Sequence, residues 1–276
     1  MKLLLPVSTA DPSGAALLLA IDTARSHGGE IHGLALVDLE GIRRVESGAP
    51  PGAIYLARQA EKRLAERDAA EASAALEKAA AACRAAGIAF RGEVAAGDPR
   101  REMEKACAAC DLLVSSIASR FAHGLADEPG EMVLSMMQSR SAPLLLSASI
   151  YRPVSTVVVG CGGGDRTSRA AGAMARLSLW KSGCRILLLT IVDSPEEGEA
   201  RLAPVRNILA DAGYPSLEER VLSGSKSDRF PAFCEETGAD AAVLGGWGEH
   251  RWNDILSRSV TGRMLTLGLH HLFLYM

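Results

Sequence analysis

A chain of 276 residues exceeds the usual single-domain size and suggests two domains of about 130 residues, each able to bury a core. The composition is 48% hydrophobic and only 4% aromatic, which suits Ala/Leu/Val-rich helices packed on a buried sheet. A net charge of -3 provides no footprint for nucleic acid. The apolar segment Leu3-Leu4-Leu5 is cut by Pro6, and the sequence has neither the uninterrupted apolar stretch of a membrane span nor the pattern of a signal peptide.

In chain order, the first half reads as a strand at 2–7, a helix from Pro12 to His27 and a strand at 31–37 ending in Val37-Asp38. Residues 39–65 then read as an insertion, with Gly48-Ala49-Pro50-Pro51-Gly52 forming an exposed loop. A long helix follows from about Ala57 to Ala86, with Glu61, Arg67 and Glu71 on a solvated face. Next come a strand at 88–94, a turn at Gly97-Asp98-Pro99 that opens a helix, and strands at 111–115 and 143–147. Cys107 and Cys110 have thiol-exchange or metal spacing but no second ligand pair, so they read as helix-packing residues. The six cysteines as a group suit a reducing cytosol, and a cytoplasmic location is the expectation.

A linker from Ser149 to Pro153 leads into a second half with the same order. It has a strand at 156–160, a helix from about Asp165 to Lys181, and a strand at 185–192 ending in Val192-Asp193. Strands at 217–222, 241–245 and 270–275 complete it, and at least one of His270 and His271 is expected to pack inside. The repetition predicts duplicated domains at 1–149 and 154–276. Short apolar runs alternating with helical stretches predict an α/β class, with two tandem five-stranded parallel sheets buried on both faces.

After the apolar run Ala241-Ala242-Val243-Leu244 comes Gly245-Gly246-Trp247-Gly248, and nine residues later Arg258-Ser259 precedes a helical pattern. A glycine turn lets backbone N–H groups approach an anion, and a helix start adds unpaired donors. This pattern resembles the universal stress protein family, whose nucleotide-binding members carry G-x2-G-x9-G-[ST] here. Gly245, Gly248 and Ser259 match, while Arg258 stands at the third glycine. The resemblance covers both halves and implies a doubly wound α/β domain with parallel strand order 3-2-1-4-5 in each. It also implies domain pairing through the fifth strands, satisfied within one chain as a pseudo-dimer. Antiparallel contact of 143–147 with 270–275 would cover two apolar edges.

In such sheets the ligand crevice lies at the strand carboxyl ends, where strand order reverses. The resemblance implies an adenosine-contacting aspartate after strand one, but Ser8 and Gly162 stand there. In the first half Ser116 and Ser119 replace the glycine pair, and Gly130-Glu131 places a carboxylate beside the phosphate position. The first half therefore reads as a degenerate partner. The second half holds the candidate anion or nucleotide site: Gly162, Gly163, Gly245, Gly248, Arg258 and Ser259. Arg258 either forks onto an anion, or points to solvent or fills the phosphate position. Trp247 and His250 belong to the same loop, and Gly162-Gly163-Gly164 reads as a turn before a helix capped by Asp165.

No G-x-S-x-G elbow, histidine metal motif or Walker lysine is present. The reading is a stress-response protein that binds a small anionic or nucleotide ligand, or a protein partner, without catalysis. The alternative is an ATP-binding switch with slow or no hydrolysis in the second domain. Mg-ATP is expected to bind weakly or not at all, and only in that domain. Neither nucleic acid nor a membrane is an expected partner, and homodimerisation is left open.

Overall fold

The computed structural model describes residues 1–7, 13–46, 54–117, 142–245 and 259–275. The chain divides into two compact units, Met1–Ser141 and Ala142–Met276. The inserted Gly48–Gly52 loop, Ser8, Ser119, Gly130, Glu131, Trp247, Gly248, His250 and Arg258 lie outside the described residues.

The first unit contains β1 (Lys2–Pro6), α1 (Ala15–His27), β2 (Glu30–Asp38), α2 (Leu39–Glu46), α3 (Ile54–Ala85), β3 (Ala89–Gly97), α4 (Pro99–Cys107) and β4 (Leu112–Ser116). Its strands pair in the order β3-β2-β1-β4, with parallel registers throughout. Every residue of β4 is buried, the pattern expected of a parallel strand covered on both faces. Gly33 on β2 makes room for a neighbour: a Cβ there would meet the Phe90 ring at 2.4 Å. Residues 39–46, the start of the expected insertion, form a helix that the sequence reading did not assign. The cause is Asp38, which ends the strand and whose Oδ1 accepts the Gly41 N–H at 2.7 Å, a helix-capping arrangement.

The second unit contains β5 (Leu144–Ser147), β6 (Thr156–Gly160), α5 (Asp165–Arg176), β7 (Arg185–Ile191), α6 (Pro195–Asp211), β8 (Leu217–Leu222), α7 (Lys226–Thr237), β9 (Ala241–Gly245), α8 (Val260–Leu267) and β10 (His271–Tyr275). The strands run β5-β10-β9-β6-β7-β8. The second half thus has the expected 3-2-1-4-5 order, read as β8-β7-β6-β9-β10. Pairing is parallel except at β10 and β5, where Leu272, Phe273 and Leu274 oppose Leu146, Leu145 and Leu144. The expected antiparallel contact is therefore present, and it places the first half's fifth strand in the second compact unit.

Polar clamps fix the strand ends. His271 is fully buried, and its Nδ1 accepts the Ala148 N–H at 3.0 Å. Its proton therefore sits on Nε2, which donates to the Arg152 carbonyl at 2.9 Å. Asp240, just before β9, accepts from the Ser155 N–H and hydroxyl and from the Thr156 N–H at 2.7–3.0 Å. Asp111 does the same job in the first unit, accepting the Lys2 N–H at 2.7 Å.

The helix expected to reach Lys181 stops at Arg176. Ser178 and Trp180 adopt left-handed conformations at φ 53° and 58°, which no helix can continue through. The Tyr214 hydroxyl secures that turn by donating to the Leu179 carbonyl at 2.7 Å. No helix among the described residues is long and apolar enough to cross a membrane.

Candidate functional site

In the second unit β6 lies between β7 and β9, the point where strand order reverses and α/β sheets open a crevice. A pocket of about 160 Å³ lies there. Its apolar wall includes Leu189, Ile191, Phe230 and Leu244. Its polar groups come from Gly162, Thr167, Arg201, Lys226 and the start of α8 at Val260 and Thr261.

The chain leaves β6 at Gly160, where a Cβ would crowd Leu244 at 2.9 Å and Phe230 at 3.0 Å. Cys161 follows, with its N–H on the Leu189 carbonyl at 2.7 Å. Burial pushes its thiol up to about 12, so it is a packing residue at neutral pH and not a nucleophile. Gly162 lines the pocket, and its N–H donates at 3.4 Å to the Thr167 hydroxyl. Gly163 has φ +79°, and a Cβ there would meet Arg201 Cγ at 2.7 Å and its Cδ and Nε at 3.0 Å. Both its conformation and the arginine lying over it require glycine. Helix α5 is capped by Gly164, not by Asp165. Asp165 occupies the first turn, where its negative charge complements the helix N-terminus.

Gly245 ends β9 and lines the pocket. A Cβ on it would lie 2.8 Å from the Arg166 carbonyl carbon and 2.9 Å from both Arg166 Cβ and the Thr167 nitrogen. Close packing of the first turn of α5 on the strand end thus accounts for this glycine by itself. Ser259 caps α8, its Oγ accepting the Gly262 N–H at 3.0 Å. The Val260 and Thr261 N–H groups that follow are the remaining donors of that helix start.

Gly162, Gly245 and the helix opened by Ser259 therefore converge on one pocket. Gly163 reaches it through Arg201, while Gly248 and Arg258 belong to the undescribed segment. Sequence reasoning missed Arg201 and Lys226. Arg201 sits four residues after Glu197 and pairs with it on α6, a spacing that reads as a solvated helix face. Lys226 opens α7 with no motif around it.

In the first unit Ser116 is buried at the end of β4. Asp38 is 2% exposed, and its Oδ2 is buried without a hydrogen-bond partner among the described residues. Cys107 is buried in α4, and the Cys110 thiol donates to the Cys107 carbonyl at 3.3 Å. Among the described residues no group of three His, Cys, Asp or Glu side chains is placed to hold a metal ion.

No protein-family model matches the chain, and no curated protein matches it. Among solved structures, a universal stress protein from Archaeoglobus fulgidus DSM 4304 aligns with a TM-score of 0.73 at 19% identity, covering 99% of this chain and 95% of that one. A functionally unknown protein from Pseudomonas aeruginosa PAO1 aligns with a TM-score of 0.57 at 14% identity, covering 99% and 92%. At these identities the shared property is the architecture, and over its whole length the chain has the universal stress protein fold.

Proposed function

We propose that this protein is a cytoplasmic universal stress-type protein that works by binding a small anionic ligand or a protein partner, without a catalytic step. The domains fall at 1–149 and 154–276, with the first as supporting partner and the second carrying the ligand site. The observation that carries this reading is the second-unit pocket, where a glycine turn and the Ser259-capped helix α8 meet an apolar wall. Such a crevice combines donors for an anion with surface for an apolar body. The absence from the sequence of a Walker lysine and of a hydrolase elbow supports binding over catalysis.

Thermal denaturation with millimolar Mg-ATP, together with mass spectrometry of ligand released from the purified protein, tests the reading. A ligand at 100 times its dissociation constant stabilises by about 2.7 kcal/mol, so specific binding is measurable. The expected result is little shift with Mg-ATP and recovery of another small anion. The ATP-switch reading is favoured by Ser259, a residue of the family's nucleotide motif, standing as the cap of α8 at the pocket. A saturable upward shift with Mg-ATP, lost in Gly248→Trp, would make that the better account.

A further inference from the structure

Arg201 is held in a way that its helix position does not require. Its stem lies across the turn after β6, with Cγ, Cδ and Nε where a Gly163 Cβ would stand. Its Nη2 pairs with Glu197 one turn earlier on α6. Its Nη1 is fully buried and has no hydrogen-bond partner among the described residues. An arginine on a helix face normally keeps its fork in water, and a guanidinium nitrogen withdrawn from solvent without an acceptor is unfavourable. This side chain, only 21% exposed, lines the pocket. Lys226 lines the same pocket and brings a second positive charge. The apolar residues Leu189, Phe230 and Leu244 complete a wall of opposite character.

We propose that Arg201 is the anion anchor of the second-unit crevice: its guanidinium turns on its long stem and brings Nη1, buried and without a partner among the described residues, onto the carboxylate or phosphate terminus of a small organic ligand whose apolar body rests on Leu189, Phe230 and Leu244. Lys226 adds a second, unforked charge. The inference rests on the reading of that crevice as the ligand site and goes beyond it by naming the recognition element. A guanidinium presents fixed, planar donors that match carboxylate and phosphate oxygens alike, so the two ligand sources share one chemistry. The Gly163 turn is then a seat for the anchor as well as a bend in the chain.

Calorimetric titration of the full chain with matched pairs tests this: AMP against adenosine, and benzoate against benzyl alcohol. Wild type is expected to favour the anionic member of at least one pair, and the responding pair tells phosphate from carboxylate. Arg201→Met should weaken the anionic member by about tenfold or more and the neutral member by less than about threefold, as expected when a charged hydrogen bond is lost. Equal weakening of both members would make Arg201 a structural prop and overturn the proposal. Unchanged anion preference in Arg201→Met, with binding abolished by Thr261→Glu, would keep the crevice as the site but refute the anchor. A wild-type protein with no preference for either anion would refute both the anchor and the anionic-ligand reading. If Arg201→Met fails to fold, Arg201→Lys decides. It keeps a stem over Gly163 but removes the fork, so reduced anion preference supports the anchor and unchanged preference refutes it.

Discussion

Gly245→Ala should destabilise the second unit because the methyl group has nowhere to go. Its Cβ would sit 2.8–2.9 Å from Arg166 and Thr167 atoms, two of them backbone atoms in the first turn of α5. A flexible side chain could swing away, but a helix start pinned by Gly164 and Thr167 must move as a body. Overpacking of this kind costs about 1–3 kcal/mol, and we expect about 2. Gly172→Ala in the same helix is the control: nothing lies within 4 Å of its Cβ position, and replacing a helical glycine by alanine stabilises by about 0.5–1 kcal/mol. The three tryptophans, Trp180, Trp247 and Trp252, all lie in the second half, so fluorescence during urea unfolding follows that unit. With a urea slope of about 2 kcal/mol/M, the midpoint should fall by about 1 M in Gly245→Ala and rise by about 0.3 M in Gly172→Ala. A Gly245→Ala midpoint within about 0.2 M of wild type would refute the packing argument.

Further substitutions probe the remaining contacts. Burial pushes the Asp240 carboxyl up, but donors from Ser155 and Thr156 outweigh it and hold it below the ordinary 3.8. The wild-type advantage over Asp240→Asn, about 1–2 kcal/mol from the charged hydrogen bonds, should therefore be present at neutral pH, begin to fall as pH drops through about 4, and be lost only once pH passes the lowered folded-state value; chemical denaturation across that range measures it. Tyr214→Phe removes the buried bond to the Leu179 carbonyl and should cost about 1–2 kcal/mol in urea unfolding. His271→Leu leaves the Ala148 N–H and the Arg152 carbonyl without their partner; a loss of about 2–3 kcal/mol is expected in the same assay. Gly163→Ala meets both the positive φ and the Arg201 stem and should lower the midpoint as well, by about 1–2 kcal/mol of stability.

The strands were legible because strands buried on both faces read as continuous apolar runs, as Leu112-Leu113-Val114 and Ala241 to Leu244 do. The antiparallel pairing of β5 with β10 followed from the need to cover two apolar edges. Helix α2 was hidden because its cap, Asp38, was read only as the end of a strand. The early end of α5 depends on left-handed backbone at Ser178 and Trp180, residues that rarely adopt it. At the site, glycine turns and a serine cap announce themselves in sequence. Arg201 does not, because its meaning comes from lying on Gly163, a residue of another loop, while its local pairing with Glu197 resembles an ordinary helix surface.

Backbone amide NMR during parallel titrations with AMP and with benzoate locates the ligand site in the second-unit crevice or outside it. At least one of the two anions should give saturable shifts concentrated at Gly162, Gly163, Thr167, Val260 and Thr261, with the Arg201 side-chain resonance moving alongside them. Shifts concentrated at Asp38 and Ser116 in the first unit would rule that placement out, as would spectra in which neither AMP nor benzoate perturbs any residue around the pocket.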